Sequence, residues 1–149
     1  LFHNKDLRPL CIENTNCLLI EFPDMKKWSE EYTKELDQLV GYYNINSIIA
    51  HIDRYSPLMS NKKLLIRLKN MGCLLQMNTT AVTKPDMRKK SLKLIEKGYV
   101  DLLGSDCHNI SYRPPVIGEA KRIIIQKLGK ETWEQLMINA SKVINSGCF

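Results

Sequence analysis

Carboxylate and imidazole side chains follow short apolar runs at recurring intervals along the chain. Glu21 follows the run CLLI, His51 follows SIIA, and Asp106 and His108 follow VDLLGS. Carboxylate oxygens and imidazole nitrogens are a ligand set suited to Mn, Fe or Zn. Each residue alone has a structural explanation, such as a helix cap for Glu21 or an Asx turn for Asp106. The four together predict a metal site.

Two arginines stand close to these residues in the sequence. Arg54 comes three residues after His51, and Arg113 comes five residues after His108. A guanidinium group binds phosphate oxygens through two parallel hydrogen bonds, although either arginine could instead form a surface salt bridge. Metal ligands beside arginines indicate phosphoryl hydrolysis, in which a metal lowers the pKa of a water and the cations stabilise the charged transition state.

The elements that must position these side chains read as alternating strands and helices. Four short apolar runs have the character of buried parallel strands, at residues 17–21, 47–51, 73–78 and 100–105. Apolar residues at spacings of three and four predict five helices, at residues 28–43, 64–71, from about 85 through 95, 120–128 and 133–144. The chain is therefore expected to be α/β with a parallel sheet, either open or part of a barrel, with the polar residues at one edge.

Composition narrows the class of protein. The chain has 149 residues, of which 44% are hydrophobic and 26% are charged, so we expect one folded domain over residues 1–149. No apolar run is long enough to span a bilayer, and the first residues show no signal-peptide pattern. The net charge of +6 is spread over helical segments, which favours solvated helix faces over nucleic-acid binding. Five cysteines without a CxxC motif favour a reducing, cytoplasmic setting over a disulfide framework.

Five segments of the sequence also carry a family resemblance. They are LLIEFP at 18–23, IAHIDRY at 49–55, QMN at 76–78, GSDCHN at 104–109 and RPP at 113–115. In this order they resemble the metal-dependent tyrosine phosphatases of the polymerase and histidinol phosphatase (PHP) superfamily. The capsule and exopolysaccharide type, CpsB/CapC, is the subset that they resemble most.

The resemblance implies a fold, a metal cluster and an activity. The fold would be the C-terminal part of a distorted (β/α)7 barrel. Glu21, His51, Asp106 and His108 would ligate metal, usually manganese, while Arg54 and Arg113 would hold the phosphate of phosphotyrosine. The substrate would be a bacterial tyrosine kinase that controls polysaccharide export, hydrolysed by metal-activated water.

The chain departs from the family pattern in two places. Ile52 and Asp53 stand where the family usually has Pro-Glu, and the HxH motif of the family's first strand is missing. By the family pattern about three βα units are absent, which predicts a partial domain with an exposed strand edge. That edge is expected to allow self-association.

Three alternative functions remain open at the level of sequence. Cys107 and Arg113 match the C-x5-R spacing of cysteine-dependent phosphatases, but the residues between them are too bulky for a phosphate-cradling loop. Cys107 is expected instead to be a small packed residue between two ligands. The chain could also be a PHP phosphoesterase acting on small phosphate monoesters, or a non-catalytic remnant that binds phosphoproteins.

Overall fold

A four-stranded parallel sheet organises the structure, a computed structural model that describes residues 6–23, 25–109, 111 and 114–146. The strands lie in chain order and each pairs in parallel with the next, which confirms the predicted α/β class. They are β1 (Cys17–Ile20), β2 (Asn46–Ile49), β3 (Leu74–Asn78) and β4 (Leu102–Gly104). All four carboxyl ends therefore meet at one edge of the sheet.

Seven α-helices lie within the described residues and cover the strands, and five of them are the helices that the spacing predicts. They are α1 (Glu30–Gly41), α2 (Ser56–Ser60), α3 (Lys62–Asn70), α4 (Thr79–Thr83), α5 (Pro85–Glu96), α6 (Ile117–Leu128) and α7 (Lys130–Ser146). The short helices α2 and α4 were not predicted, because about one turn is too short to show a helical period. No helix within the described ranges combines the length and the apolar character needed to cross a membrane.

Local sequence signals mark the ends of the longer helices. The Ser29 hydroxyl accepts a hydrogen bond from the Glu31 N–H at 3.2 Å, and the Asn61 side chain accepts one from the Leu64 N–H at 3.1 Å. These side chains satisfy N–H groups that have no partner within the helix. After α3 the chain turns at Gly72, whose φ of +85° favours glycine.

The sheet separates two apolar clusters, because alternate strand residues face opposite sides. Ile49 and Leu75 belong to the larger cluster, together with residues of α1, α3, α5 and α6. Ile48 and Leu74 belong to a smaller cluster that includes Val143 of α7. Buried apolar area on both faces holds the strand ends in fixed relative positions.

The described cysteines comprise three free thiols and one bonded residue. Cys11, Cys73 and Cys107 carry free thiols, whereas Cys17 is disulfide-bonded. One bonded cysteine is not a disulfide framework, so the expectation of a reducing setting stays a prediction. An isolated cysteine carries no local signal of pairing such as CxxC.

Candidate functional site

The predicted site residues lie at the carboxyl edge of the sheet. Glu21 directly follows β1, His51 comes two residues after β2, and Asp106 comes two residues after β4. Asn78, the last residue of β3, lies between them with a buried side chain. The parallel topology alone accounts for this convergence, since every connection returns the chain to the opposite edge.

His51 and Glu21 form the first close pair of the site. The His51 Nε2 atom lies 2.9 Å from Glu21 Oε1, and the imidazole is 10% exposed whereas the Glu21 side chain is 62% exposed. Despite this approach, Nε2 is buried and makes no hydrogen bond to any described residue. A buried imidazole nitrogen beside a carboxylate oxygen, with no hydrogen bond between them, is a donor pair that fits a cation.

Asp106 and His108 form the second pair. The Nδ1 atom of His108 lies 2.8 Å from the Asp106 backbone oxygen and 3.7 Å from Asp106 Oδ1. Because a carbonyl oxygen only accepts, Nδ1 carries the proton and Nε2 carries the lone pair. In this tautomer Nε2, and not Nδ1, is the nitrogen that could ligate a metal, and the backbone contact of Nδ1 orients the ring.

Arg54 joins the two pairs. Its Nη2 atom donates to Asp106 Oδ2, and its Nη1 atom lies 3.6 Å from Glu21 Oε1. Within the described part of the chain, no three His, Cys, Asp or Glu side chains are close enough together to hold a metal ion. The Arg54 guanidinium lies between the two carboxylates. Arg113 lies outside the described residues.

The residue types of the donor set suit a divalent metal, although their present separation does not form a complete site among the described residues. Two imidazoles and two carboxylates come from three strand ends, and the buried Nε2 atom of His51 makes no hydrogen bond to a described residue. Mixed nitrogen and oxygen ligands of this kind suit Mn, Fe or Zn. Arg54 supplies a positive charge at the same place.

Two of the site residues adopt a left-handed backbone. His51 has a φ of +33° and Asp106 has a φ of +49°. This region is disfavoured for residues with a Cβ atom, and such strain persists only where surrounding contacts hold it. The strained positions coincide with two of the predicted metal ligands.

Sequence reasoning missed two further polar residues. The Gln76 Oε1 atom accepts a hydrogen bond from the His51 N–H at 2.6 Å, and Asp53 Oδ1 accepts one from the Asn78 N–H at 2.7 Å. Burial raises the pKa of the Asp53 carboxyl above its usual value, although the hydrogen bond from the Asn78 N–H and the nearby charge of Arg54 act to lower it. A glutamine inside an otherwise apolar strand was the available signal for Gln76.

A cavity of about 410 Å³ opens beside the site. Two cations, three apolar side chains and several polar groups line it. They are Asp53, Arg54, Asn78, Thr80, Lys84, Met87, Ser105, Asp106, Pro114 and Val116. This volume is typical of small-molecule sites, and the two cations in its walls are balanced by the carboxylates of Asp53 and Asp106.

Cys107 does not pack as the sequence suggested. Its side chain is exposed, and its Sγ atom lies 3.7 Å from the Asn109 carbonyl oxygen. The expectation of a small packed residue between two ligands is wrong, since the Cys107 side chain faces solvent just after Asp106, whose φ is +49°.

Comparison with known proteins identifies the family. The family model described as "Capsular polysaccharide synthesis, CpsB/CapC" matches residues 3–145. The chain belongs to the CpsB/CapC family. This membership confirms the resemblance seen in the sequence, and it covers all six of the predicted site residues.

Named relatives of this CpsB/CapC chain are phosphatases. It is 32% identical over 144 residues to the tyrosine-protein phosphatase CpsB of Streptococcus agalactiae serotype V. This match covers 91% of the chain and 58% of the relative. It is 32% identical over 142 residues to CpsB of Streptococcus pneumoniae, covering 89% of the chain and 58% of the relative. The chain thus spans somewhat over half the length of these relatives.

A solved structure matches the CpsB/CapC chain over its whole length. The match has a TM-score of 0.87 at 23% identity and covers 100% of this chain and 62% of the other. That structure comes from work on YwqE from Bacillus subtilis and CpsB from Streptococcus pneumoniae, described as metal-dependent tyrosine phosphatases. The likeness confirms the predicted α/β fold.

Proposed function

We propose that residues 1–149 form part of a metal-dependent protein tyrosine phosphatase domain. The observation that carries the proposal is the buried His51 Nε2 atom, which makes no hydrogen bond to a described residue and lies 2.9 Å from Glu21 Oε1, beside Arg54. A metal beside a phosphate-binding cation would activate water and stabilise the charge that develops during hydrolysis of a phosphate ester. The names of the relatives, which are tyrosine-protein phosphatases, support the substrate class.

Glu21, His51, Asp106 and His108 would hold the metal, with manganese the expected ion and Fe or Zn as alternatives. When bound, the metal supplies a water of lowered pKa as the nucleophile, so no covalent enzyme intermediate is needed. The chain's own contribution is orientation. The backbone contact of His108 selects its tautomer, and the burial of His51 keeps bulk water away from Nε2.

Arg54 and Arg113 would bind the phosphate. Arg54 already lies between two carboxylates, so its charge is placed where an anionic ligand would meet the metal. The apolar side chains of Met87, Pro114 and Val116 line the adjacent cavity and offer a surface for an aromatic ring. This combination favours an aryl phosphate over a purely polar phosphate ester.

The biological substrate would be phosphotyrosine on a bacterial tyrosine kinase that controls capsule or exopolysaccharide synthesis. The family description and the relatives' names support this assignment. A kinase substrate of this type places the reaction in the cytoplasm.

The outermost strand of the sheet, β1, supports a proposal of self-association. Among the described residues β1 pairs only with β2, on one side, and its Leu19 side chain is 56% exposed. An unpaired strand edge with an exposed apolar side chain is a template for pairing with a second chain. A second copy of this chain is the partner that we propose.

The test combines Mn²⁺ titration calorimetry with hydrolysis of a phosphotyrosine peptide, with and without added Mn²⁺. The Asp106→Ala variant is expected to lose metal binding, and Arg113→Ala to weaken phosphate binding with the metal retained. Asp37→Ala, at an exposed position on α1, is the matched control and should behave as wild type.

Each other outcome points to a different function. Faster turnover of small phosphate monoesters than of the peptide would indicate a phosphoesterase of different specificity. Tight peptide binding without turnover at saturating Mn²⁺ would indicate a phosphoprotein-binding module. Unchanged metal content in Asp106→Ala would contradict the proposed ligand set.

A further inference from the structure

The backbone pairing between β2 and β3 ends before the site, and beyond that point side-chain hydrogen bonds connect the two segments. The backbone pairing runs through Ile48 with Leu74 and Ile49 with Leu75. Two residues later β2 has turned away, because His51 adopts a left-handed backbone and residues 52–54 form a 3₁₀ turn. β3 continues to Asn78 and needs new partners for its backbone groups at that end.

Two hydrogen bonds cross this gap in opposite directions. The side chain of Gln76 on β3 accepts from the His51 N–H at 2.6 Å. The side chain of Asp53 on the turn accepts from the Asn78 N–H at 2.7 Å. Each segment therefore contributes one side chain and one backbone N–H to the other, which defines a reciprocal clamp of Gln76 and Asp53.

The remaining contacts orient the Gln76 amide. Its Nε2 atom donates to the Met77 carbonyl at 2.9 Å and lies 3.4 Å from Asn78 Oδ1. Because a carbonyl accepts only, Nε2 is the nitrogen and Oε1 is left to face His51. The Asn78 amide in turn donates to Asp106 Oδ2 at 3.4 Å, so the clamp extends to a second predicted ligand.

Gly104 makes room for the Gln76 side chain. A Cβ atom at position 104 would lie 2.3 Å from Gln76 Nε2 and 3.0 Å from its Cδ atom. Alanine at this position would displace the end of a flexible side chain without touching backbone. The substitution Gly104→Ala is thus a way to break the contact with His51 while leaving Gln76 in the sequence.

We infer that Gln76, Asp53 and Gly104 are positioning residues for the site: they hold the strained His51–Arg54 turn so that His51 faces Glu21 and Arg54 reaches Asp106. None of the three is predicted to touch metal or phosphate. The consequence for metal binding rests on the proposed function, whereas the consequence for the turn itself does not.

The experiment measures Mn²⁺ affinity, thermal midpoint and backbone amide exchange on the full chain. In Gly104→Ala and in Gln76→Ala, the Mn²⁺ dissociation constant should rise about tenfold or more, as expected for loss of a group that orients a ligand. The His51 amide should exchange about tenfold faster in both variants. Gly118→Ala is the matched control, since a Cβ atom there meets nothing within 4 Å.

A double-mutant cycle separates positioning from general destabilisation. In a Gln76→Ala background, Gly104→Ala should change the Mn²⁺ dissociation constant and the His51 amide exchange rate by less than about threefold, because the side chain that it displaces is gone. Asp53→Asn keeps an oxygen that accepts from the Asn78 N–H and should preserve slow exchange there, whereas Asp53→Ala should accelerate it about tenfold.

Three results would overturn the inference. The first is an unchanged exchange rate of the His51 amide in Gly104→Ala, and the second is an equal effect of Gly104→Ala with and without Gln76. The third is a loss of Mn²⁺ affinity that only follows the fall in thermal midpoint, together with fast exchange of the Asn78 amide in Asp53→Asn. If the wild-type chain binds no Mn²⁺, the proposed function fails. The exchange measurements then still decide whether the clamp holds the turn.

Discussion

The Tyr55 hydroxyl is hydrogen-bonded to both backbone polar groups of Phe22. It accepts from the Phe22 N–H at 2.8 Å and donates to the Phe22 carbonyl oxygen at 2.9 Å. Tyr55 is buried, and this burial raises the pKa of its phenol. Since Phe22 directly follows Glu21, the phenol holds the chain where it leaves β1 and so positions a predicted metal ligand.

Tyr55→Phe is expected to lower the free energy of unfolding by about 2 kcal/mol, because both Phe22 groups would stay buried without this partner. Urea denaturation followed by circular dichroism measures the change. Tyr42→Phe is the control, since Tyr42 is 75% exposed. Its effect should stay within about 0.5 kcal/mol. Equal effects of the two substitutions would contradict a structural role for the Tyr55 hydroxyl.

Asp101→Ala is expected to destabilise the chain by about 3 kcal/mol or more. The buried Asp101 carboxylate accepts from the Leu75 N–H at 2.9 Å and forms an ion pair with Lys69, so its loss leaves a partly buried ammonium without its counter-charge. The exposed pair of Arg67 and Glu30 provides a comparison. Glu30→Ala should change stability by less than about 1 kcal/mol. A smaller loss in Asp101→Ala than in Glu30→Ala would show that Asp101 does not join the strands.

Cys73 and Cys107 should differ in reactivity. Burial raises the pKa of the Cys73 thiol to about 12, whereas Cys107 is exposed. Iodoacetamide at neutral pH should therefore label Cys107 in the folded chain and leave Cys73 unmodified, as peptide mass spectrometry would show. Labelling of Cys73 at the same rate as Cys107 would contradict its burial.

The same Cys73 shift predicts a dependence of stability on pH. The thiol ionises at an ordinary pKa of 9.0 in the unfolded chain and at about 12 in the folded chain. The contribution of this thiol to the free energy of unfolding is complete below pH 9. It is lost as pH rises towards 12, since the thiol releases its proton at lower pH in the unfolded state than in the folded state. Cys73→Ala should flatten the alkaline fall of the free energy of unfolding, measured by urea denaturation from pH 8 to 10.

Arg54→Ala should weaken binding of inorganic phosphate to the Mn²⁺-loaded chain by about tenfold or more. Mn²⁺ affinity itself should be retained or increased, because the guanidinium no longer competes for Glu21 and Asp106. Titration calorimetry separates the two effects, with Arg67→Ala as the control. Loss of Mn²⁺ binding in Arg54→Ala would mean that the arginine organises the carboxylates instead of competing with the ion.

Leu19→Lys is expected to reduce self-association of the chain. A lysine on an edge strand opposes pairing with a second copy through charge and hydration. Sedimentation velocity over a range of protein concentrations measures the change. Ile66→Lys, on the exposed side of α3, is the control, since Ile66 is 43% exposed and lies away from the sheet edge. Identical behaviour of both variants would contradict association through β1.

The sequence predicted the strands, the long helices and the edge where Glu21, His51 and Asp106 meet, because these depend on periodicity and on parallel topology. It did not predict the contacts between them. The hydrogen bond from the His51 N–H to the Gln76 side chain depends on the left-handed turn at His51 and on the space beside Gly104. Both are tertiary features, with no local pattern of residue types. The position of Arg54 between two carboxylates likewise follows from three separate chain turns.

The chain order of the strands has a consequence for synthesis. Strands β1 to β4 begin at residues 17, 46, 74 and 102, and each pairs with the strand made just before it. A growing chain thus never has to wait for a later segment before pairing its newest strand. At translation rates of about 5–20 residues per second, each βα unit has seconds to dock before the next emerges from the ribosome. The sheet can therefore assemble vectorially, one unit at a time, with the carboxyl-edge residues brought together only when the last strand arrives.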